Sequence, residues 1–477
     1  MNRVHNYSGM MAVVTMLIIL QIGFFTAMFS DGSIFVMIVL IFLIILFYYL
    51  LLNRLMKTTH QSSVLCDGRF YVFSAMLMYS ILPPIYGLLT LQQNGGVRVR
   101  AAYNATIYTA DELLKTLGMS SLLFAGIIYG FKVREHMGSK HLEATLQTNE
   151  VDKAVARKKF MGWLVICVVS TFLFYLPFIR GGFAIIRQGG TILDVDRIVL
   201  SGTVGKIQEI FFSADIMTVS TVAMIYYVYQ MEISQKSRYL ILVVTVLLQI
   251  TGAVMTTRRA RGLSIMLCAF IIYIYWYEKK RKKIPLTQIV VACAAFALLY
   301  LLEVIMGQRQ TNNHFASYLY LFDGISAYDS LLRVTRETPS VAFLSNILYG
   351  LFRPIPVFGK YIVALLEMPT DAAPLYHWMA ERYTTYLYGG GLAYTPQMEA
   401  YLCLGYTGCF LFGIFYGFVF GKERYGLMNL FITAMSFSIA RGNIQVLLSL
   451  LWPYGVIGYL FYDRFLFERL KLKRKNL

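Results

Sequence analysis

Thr257-Arg258-Arg259-Ala260-Arg261-Gly262 places three guanidinium groups within four residues, between two apolar runs. A guanidinium is a planar fork of donors that grips phosphate or carboxylate at two points, and holding it near hydrocarbon is costly without an anionic partner. The plainer alternative is that these side chains snorkel to lipid headgroups. A second constellation is Arg441-Gly442-Asn443, which follows the fifteen-residue run 426–440. As a helix that run reaches only about 22 Å, short of a hydrocarbon core of roughly 30 Å. Arg441 is therefore expected below the outer surface, within a bundle, with Glu399 and Glu303 the acids nearest in depth. An Arg441–Glu399 pair is either a structural ion pair or a device that keeps Glu399 ionised for proton abstraction and Arg441 against a phosphate.

Acid–base capacity collects in a long polar stretch at His314, Asp323, Asp329, Asp371, His377 and Glu381. Transfer to a hydroxyl benefits from a base within hydrogen-bond reach, and a leaving pyrophosphate from fixed positive charge. His377, between Tyr376 and Trp378, is a candidate for that base, although a histidine among aromatics also suits a purely structural role. Asp194-Val195-Asp196 has the spacing of an acidic metal pair, but Arg197 beside it offers an ion-pair explanation and no metal is expected. Gly389-Gly390-Gly391 precedes Pro396, which suits the first turn of the helix carrying Glu399. Gly405, Gly408, Gly413, Gly417 and Gly421 give that helix small-residue faces for close packing in lipid.

The elements that must position these residues are membrane spans. A chain of 477 residues with 58% hydrophobic and 14% charged residues is not a soluble globular protein. The +18 net charge does not indicate nucleic acid, because the basic residues fall between apolar runs, where they orient a chain against a bilayer. Twelve runs approach the roughly 20 residues a crossing needs: 10–29, 33–52, 70–91, 113–131, 160–178, 209–231, 239–256, 262–277, 285–305, 398–420, 426–440 and 443–462. The first has no cleavage pattern and reads as a retained span. Spans one to nine thus occupy 1–305, an outer loop 306–397, and spans ten to twelve with a basic tail 398–477. Short amphipathic helices are expected in the outer loop, over LYLFDGISAYDSLLRVTRETP and PLYHWMAERYTTYLY, a loop of that size being functional more often than slack.

The basic loop 132–159, EKKRKKI at 278–284 and the tail FERLKLKRKNL fall on one face, which the positive-inside rule makes cytoplasmic, with both termini on it. Under this topology the outer face holds 14 Arg and 3 Lys, the inner face 11 Arg and 15 Lys. A topology signal alone does not select between the two, whereas recognition of an anionic group favours arginine. Pyrophosphate is the obvious anion at a membrane surface. Of the six cysteines none falls in an outer loop, so no disulfide framework or thiolate metal site is expected.

Four stretches carry a family resemblance: RRARGLSIML, FDGISAYDSLLRVTRETPSVAFLSNILYGLFRPIP, GGGLAYTPQMEAYLCLGYTGCFLFGIFYGF and the late ARGN. In this order they resemble the O-antigen and capsule repeat-unit polymerases, the Wzy type, bacterial polytopic proteins with a large outer loop late in the chain. The resemblance covers about the C-terminal half of the sequence; the first five spans match in hydropathy alone. It implies an all-α fold akin to the C-type glycosyltransferases in the bacterial cytoplasmic membrane. It also implies metal-independent, cofactor-free polymerisation of undecaprenyl-pyrophosphate-linked oligosaccharides among membrane lipids, with a chain-length regulator as a possible partner. Carried onto this chain it points to Arg258, Arg259, Arg261, Arg353 and Arg441 for the pyrophosphates and to Glu399 as the acid. Phe352-Arg353-Pro354-Ile355-Pro356 departs from relatives that place proline before arginine. A flippase for the same lipid, which is expected to show two similar halves, and a ligase for the finished glycan are the rivals.

Overall fold

The computed structural model describes residues 34–59, 64–93, 98–100, 107–138, 153–189, 214–231, 233–255, 265–272, 330–352, 355, 358–366, 395–424, 426–442 and 444–466. They form an all-α bundle with one two-stranded hairpin, and four helices are long and apolar enough to cross a membrane. The helices are α1 (Ile34–Thr58), α2 (Gly68–Gln93), α3 (Ala110–Gly138), α4 (Lys153–Arg187), α5 (Ala214–Gln230) and α6 (Gln235–Met255). After them come α7 (Leu344–Phe352), α8 (Gly359–Leu365), α9 (Pro396–Phe420), α10 (Gly426–Arg441) and α11 (Ile444–Leu450). A wide π-type helix continues α11 through Leu451–Leu466. The hairpin pairs β1 (Arg98–Arg100) with β2 (Ile107–Thr109), antiparallel, just before α3.

Helix α1 shows why the bundle forms. Met37, Leu40, Ile44, Phe47, Leu51 and Leu55 recur at helical spacing and are buried, while Phe42, Ile45, Tyr49 and Met56 on the other side are apolar and exposed. A helix apolar all round suits one face on protein and one on lipid. Helix α3 is the central element: 89% of its apolar window is buried, against 33% for α1. Its start is fixed by a reciprocal cap, with the Thr109 amide donating to Glu112 Oε2 at 2.9 Å and the Glu112 amide to Thr109 Oγ1 at 3.4 Å.

Against α3 lies the second half of α9, at backbone distance. A Cβ on Gly413 would run into the carbonyl of Leu123, one on Gly417 into that of Ile127, and one on Gly126 or Gly130 into those of Phe410 or Ile414. Glycines on both helices thus form one seam, as the small-residue spacing led one to expect.

Strand and helix ends sort the bundle into two ends. At one of them Arg54 pairs with Glu135 at 2.7 Å, and Arg69 Nη1 donates to the Gly421 carbonyl at 3.3 Å. There too Lys159 pairs with Asp463 at 3.1 Å, and Tyr227 Oη donates to the same carboxylate at 2.5 Å. This basic end gathers the close of α1, α3, α5 and α9 and the start of α2, α4 and α10. The opposite end holds Arg336, paired with Glu112 at 2.5 Å and set over the Tyr108 ring at 4.9 Å.

Asp67 and Arg69 at the basic end are both buried, and the guanidinium binds the carboxylate through Nε at 3.0 Å to each oxygen and Nη2 at 2.6 Å. Asn429 of α10 locks this corner, accepting from the Gly68 amide at 2.7 Å and donating to the Cys66 carbonyl at 2.6 Å. Burial first, and then the neighbouring Arg134 and Arg69, lower the pKa of Arg424 in the turn after α9.

The expected spans at 33–52, 70–91, 113–131, 160–178, 209–231, 239–256, 426–440 and 443–462 each coincide with a described helix or helix pair. Of 262–277, residues 265–272 are described and helical; 10–29 and 285–305 lie outside the described residues. Span ten is different, and its difference builds the candidate site.

Candidate functional site

Helix α9 runs over 25 residues but is not one straight rod. Leu404 has φ −142°, ψ 19° and Gly405 has φ 62°, ψ −147°, so the helix stops and restarts there. The chain also doubles back. Cys409 Sγ donates to the Gln397 carbonyl at 3.5 Å, and a Cβ on Gly408 would meet the carbonyl oxygen of Ala400. In a continuous helix residues eight and twelve apart are separated by about 12 and 18 Å along the axis. These contacts therefore make 396–403 and 406–420 an antiparallel helical hairpin. Tyr401 and Tyr406 close its turn edge to face, with centroids 5.2 Å apart.

The first half carries the polar groups. Pro396 occupies its first turn, where a missing N–H costs nothing. Gln397 Nε2 faces Ser120 Oγ of α3 at 3.4 Å and Ser80 Oγ of α2 at 3.5 Å. Ser120 is ten residues into α3, so the half-helix starts about 15 Å inside the bundle and climbs towards the opposite end. Met398, Glu399, Ala400 and Leu402 are all buried around it.

Two outside segments dock on this half-helix. The Ser340 amide donates to the Leu402 carbonyl at 2.7 Å, satisfying an orphan acceptor at the break, and Pro339 lies beside Gly405. Glu399, 1% exposed, accepts from the backbone amide of Ile444 at 2.6 Å through Oε2. That amide opens α11, so the carboxylate caps a helix N-terminus, where the macrodipole favours negative charge. The contact joins Glu399 to the start of α11, whose first residue follows Arg441, the last of α10, by three positions.

Of the residues assigned from sequence, Glu399 is fully described. Arg441 is the last residue of α10 and its backbone alone is described. Arg258, Arg259, Arg261, Arg353 and His377 lie outside the described residues, as do Asp194 and Asp196. Sequence reasoning missed Gln397, Ser340 and the break at Leu404–Gly405. Gln397 had one available signal, a polar side chain two positions before an intramembrane acid. Among the described residues no group of three or more His, Cys, Asp or Glu is placed to hold a metal ion.

Chemically, the arrangement provides an ionisable carboxylate deep in a bundle, held by the backbone amide that opens α11. It can fix the position of that helix start, and it can stabilise a cation brought against it. No family model matches the chain, and comparison with curated proteins and with solved structures also gave no match.

Proposed function

We propose that this chain is a glycan polymerase of the outer face of the bacterial cytoplasmic membrane, joining oligosaccharide repeat units carried on undecaprenyl pyrophosphate. In this reading it has twelve spans and a fold akin to the C-type glycosyltransferases. The growing glycan leaves its pyrophosphate lipid for a hydroxyl of an incoming lipid-linked unit. The observation that carries the reading is the composition of the outer face, 14 Arg against 3 Lys, where the inner face has 11 Arg and 15 Lys. Bidentate recognition of pyrophosphate accounts for that choice of cation, and positive charge there offsets charge developing on the leaving group.

Arg258, Arg259, Arg261, Arg353 and Arg441 take the pyrophosphates in this scheme. His377 is the candidate base. Glu399, seated on the α11 amide through Oε2, positions the start of α11, and its second oxygen keeps the capacity to accept a proton.

The decisive experiment gives purified protein in detergent lipid-linked repeat units. A polymerase yields a ladder with no bilayer to cross, and a flippase yields none. Arg261→Ala and Arg441→Ala are each expected to abolish long chains while single repeat units remain on the lipid. Full-length polymer from both variants at normal expression would overturn the assignment of the site.

A further inference from the structure

The stretch between the outer-loop docking point at Ser340 and Leu366 falls within what the sequence reads as a polar roof, yet its composition is that of a membrane element. Over 341–366 there are two charged residues, Arg353 and Lys360, and no acid. Val341–Phe352 is an apolar helical run of twelve residues, a 3-10 turn leading into α7. That length reaches about 18 Å at most, too short to cross roughly 30 Å of hydrocarbon.

Its depth is fixed by two contacts. At the near end Ser340 bonds Leu402, beside the break of α9. At the far end Trp452 Nε1 donates to the Leu351 carbonyl at 3.0 Å. Trp452 stands eight residues beyond Ile444, on the segment that descends from the Glu399 contact to Asp463 at the basic end. Eight residues are worth about 12 Å of descent, shortened somewhat because helical side chains lean towards the N-terminus. Helix α7 therefore lies alongside α11, not above it, and Leu351 reaches a third to a half of the way between the two ends.

The flank away from the bundle is apolar and open. Leu348, Phe358, Leu365 and Leu366 are exposed, Leu365 by 83%. Between α7 and α8 the Ile355 amide donates to the Phe352 carbonyl at 3.0 Å and the Gly359 amide to the Ile355 carbonyl at 2.9 Å.

We propose that Val341–Phe352 and α8 are the two arms of a re-entrant element, sunk into one leaflet beside α11, with their outward side chains covered by lipid acyl chains. The depth set by Leu351 and the near absence of charge both fit hydrocarbon and not an aqueous loop. The inference is independent of what the protein catalyses.

The test places nitroxide labels at Leu348→Cys and Leu365→Cys in the full chain reconstituted in nanodiscs, with labelling of the native cysteines measured on the unsubstituted protein. Collision with oxygen reports lipid and collision with a nickel chelate reports water. Val243→Cys on the exposed side of α6 is the lipid reference and Met137→Cys at the end of α3 the aqueous one. Both test sites are expected to match Val243, with high oxygen and low nickel accessibility. High nickel accessibility would make the segment an aqueous roof and overturn the proposal. Protection from both reagents would mean that protein, from this chain or a second copy, covers the face, and would overturn it equally. The two sites are independent, so one misfolded variant leaves the other to decide.

Discussion

The two halves of α9 share a helix name and little else. Residues 406–420 lie backbone to backbone on α3, with Gly413 and Gly417 notched against Leu123 and Ile127. Residues 396–403 are turned back by the break and meet their neighbours through side chains: Gln397 with two serines, Glu399 with the Ile444 amide. A seam of glycines has no adjustable atoms and holds one geometry, whereas polar contacts inside an apolar bundle are retained at a cost. The first arrangement is scaffold; the second is where a buried acid is held at the head of α11. The basic end repeats the lesson from the other direction, since Asp67 with Arg69 and Lys159 with Asp463 are buried acids and bases satisfied by each other. Such pairs fix a corner and leave little charge for a ligand.

The largest expected effect breaks the scaffold half. Gly413→Leu would force a side chain into the Leu123 backbone and within 2.9 Å of the Gly126 Cα. Overpacking usually costs about 1–3 kcal/mol, and more where backbone must part. The variant should lose its folded, monodisperse state in detergent, measured by size exclusion and thermal unfolding. Gly455→Ala, where a Cβ meets nothing within 4 Å, should leave both unchanged.

The next effect falls on the polar half. Glu399→Ala removes the acceptor at the head of α11 and leaves a buried amide unpaired, a loss of about 1.5–3 kcal/mol for a charged hydrogen bond. Glu399→Gln keeps an acceptor oxygen of similar reach and should keep most of that stability. Polymer yield is expected to follow stability across the two variants. A fully stable Glu399→Gln protein that makes no polymer would instead give the negative charge a direct part in the chemistry.

How much of this was legible beforehand follows from what each signal measures. Long apolar runs located α1 to α6 and α10, because span length is written directly in hydropathy. The expected Arg441–Glu399 pairing falls on a side chain outside the described residues, and the described partner of Glu399, the Ile444 amide, is a backbone group that composition does not mark. The fold-back at Gly405 was not legible either. Hydropathy averages over 398–420 and sees a span, and Gly405-Tyr406-Thr407-Gly408 has the same look as a packing motif. Whether a glycine packs or turns is a matter of φ, which composition does not record. Asp67 and Arg69 carry no signal in the sequence, because the groups that enclose them, Phe131, Gly421 and Asn429, come from elements far along the chain. Helices α7 and α8 were absorbed into a polar outer loop because their apolar runs are too short to register as spans.

The smallest effect separates the two halves most cleanly. Gly405 combines φ 62° with ψ −147°, a conformation that is nearly closed to residues with a Cβ. Space is not the obstacle, since the nearest atom to an added Cβ is Pro339 Cγ at 3.5 Å, an ordinary contact. Gly405→Ala should therefore cost about 1–2 kcal/mol through backbone strain alone. That strain has a local escape: straightening the break, which pulls Leu402 from Ser340 and Gln397 from the serines but leaves the glycine seam in place. Hydrogen exchange should then quicken at the amides of 396–403 and Ser340, while those of 408–420 stay as protected as in the parent. Equal loosening of both segments would show that the hairpin and the seam form one cooperative unit, and the division between scaffold and site would have to be redrawn.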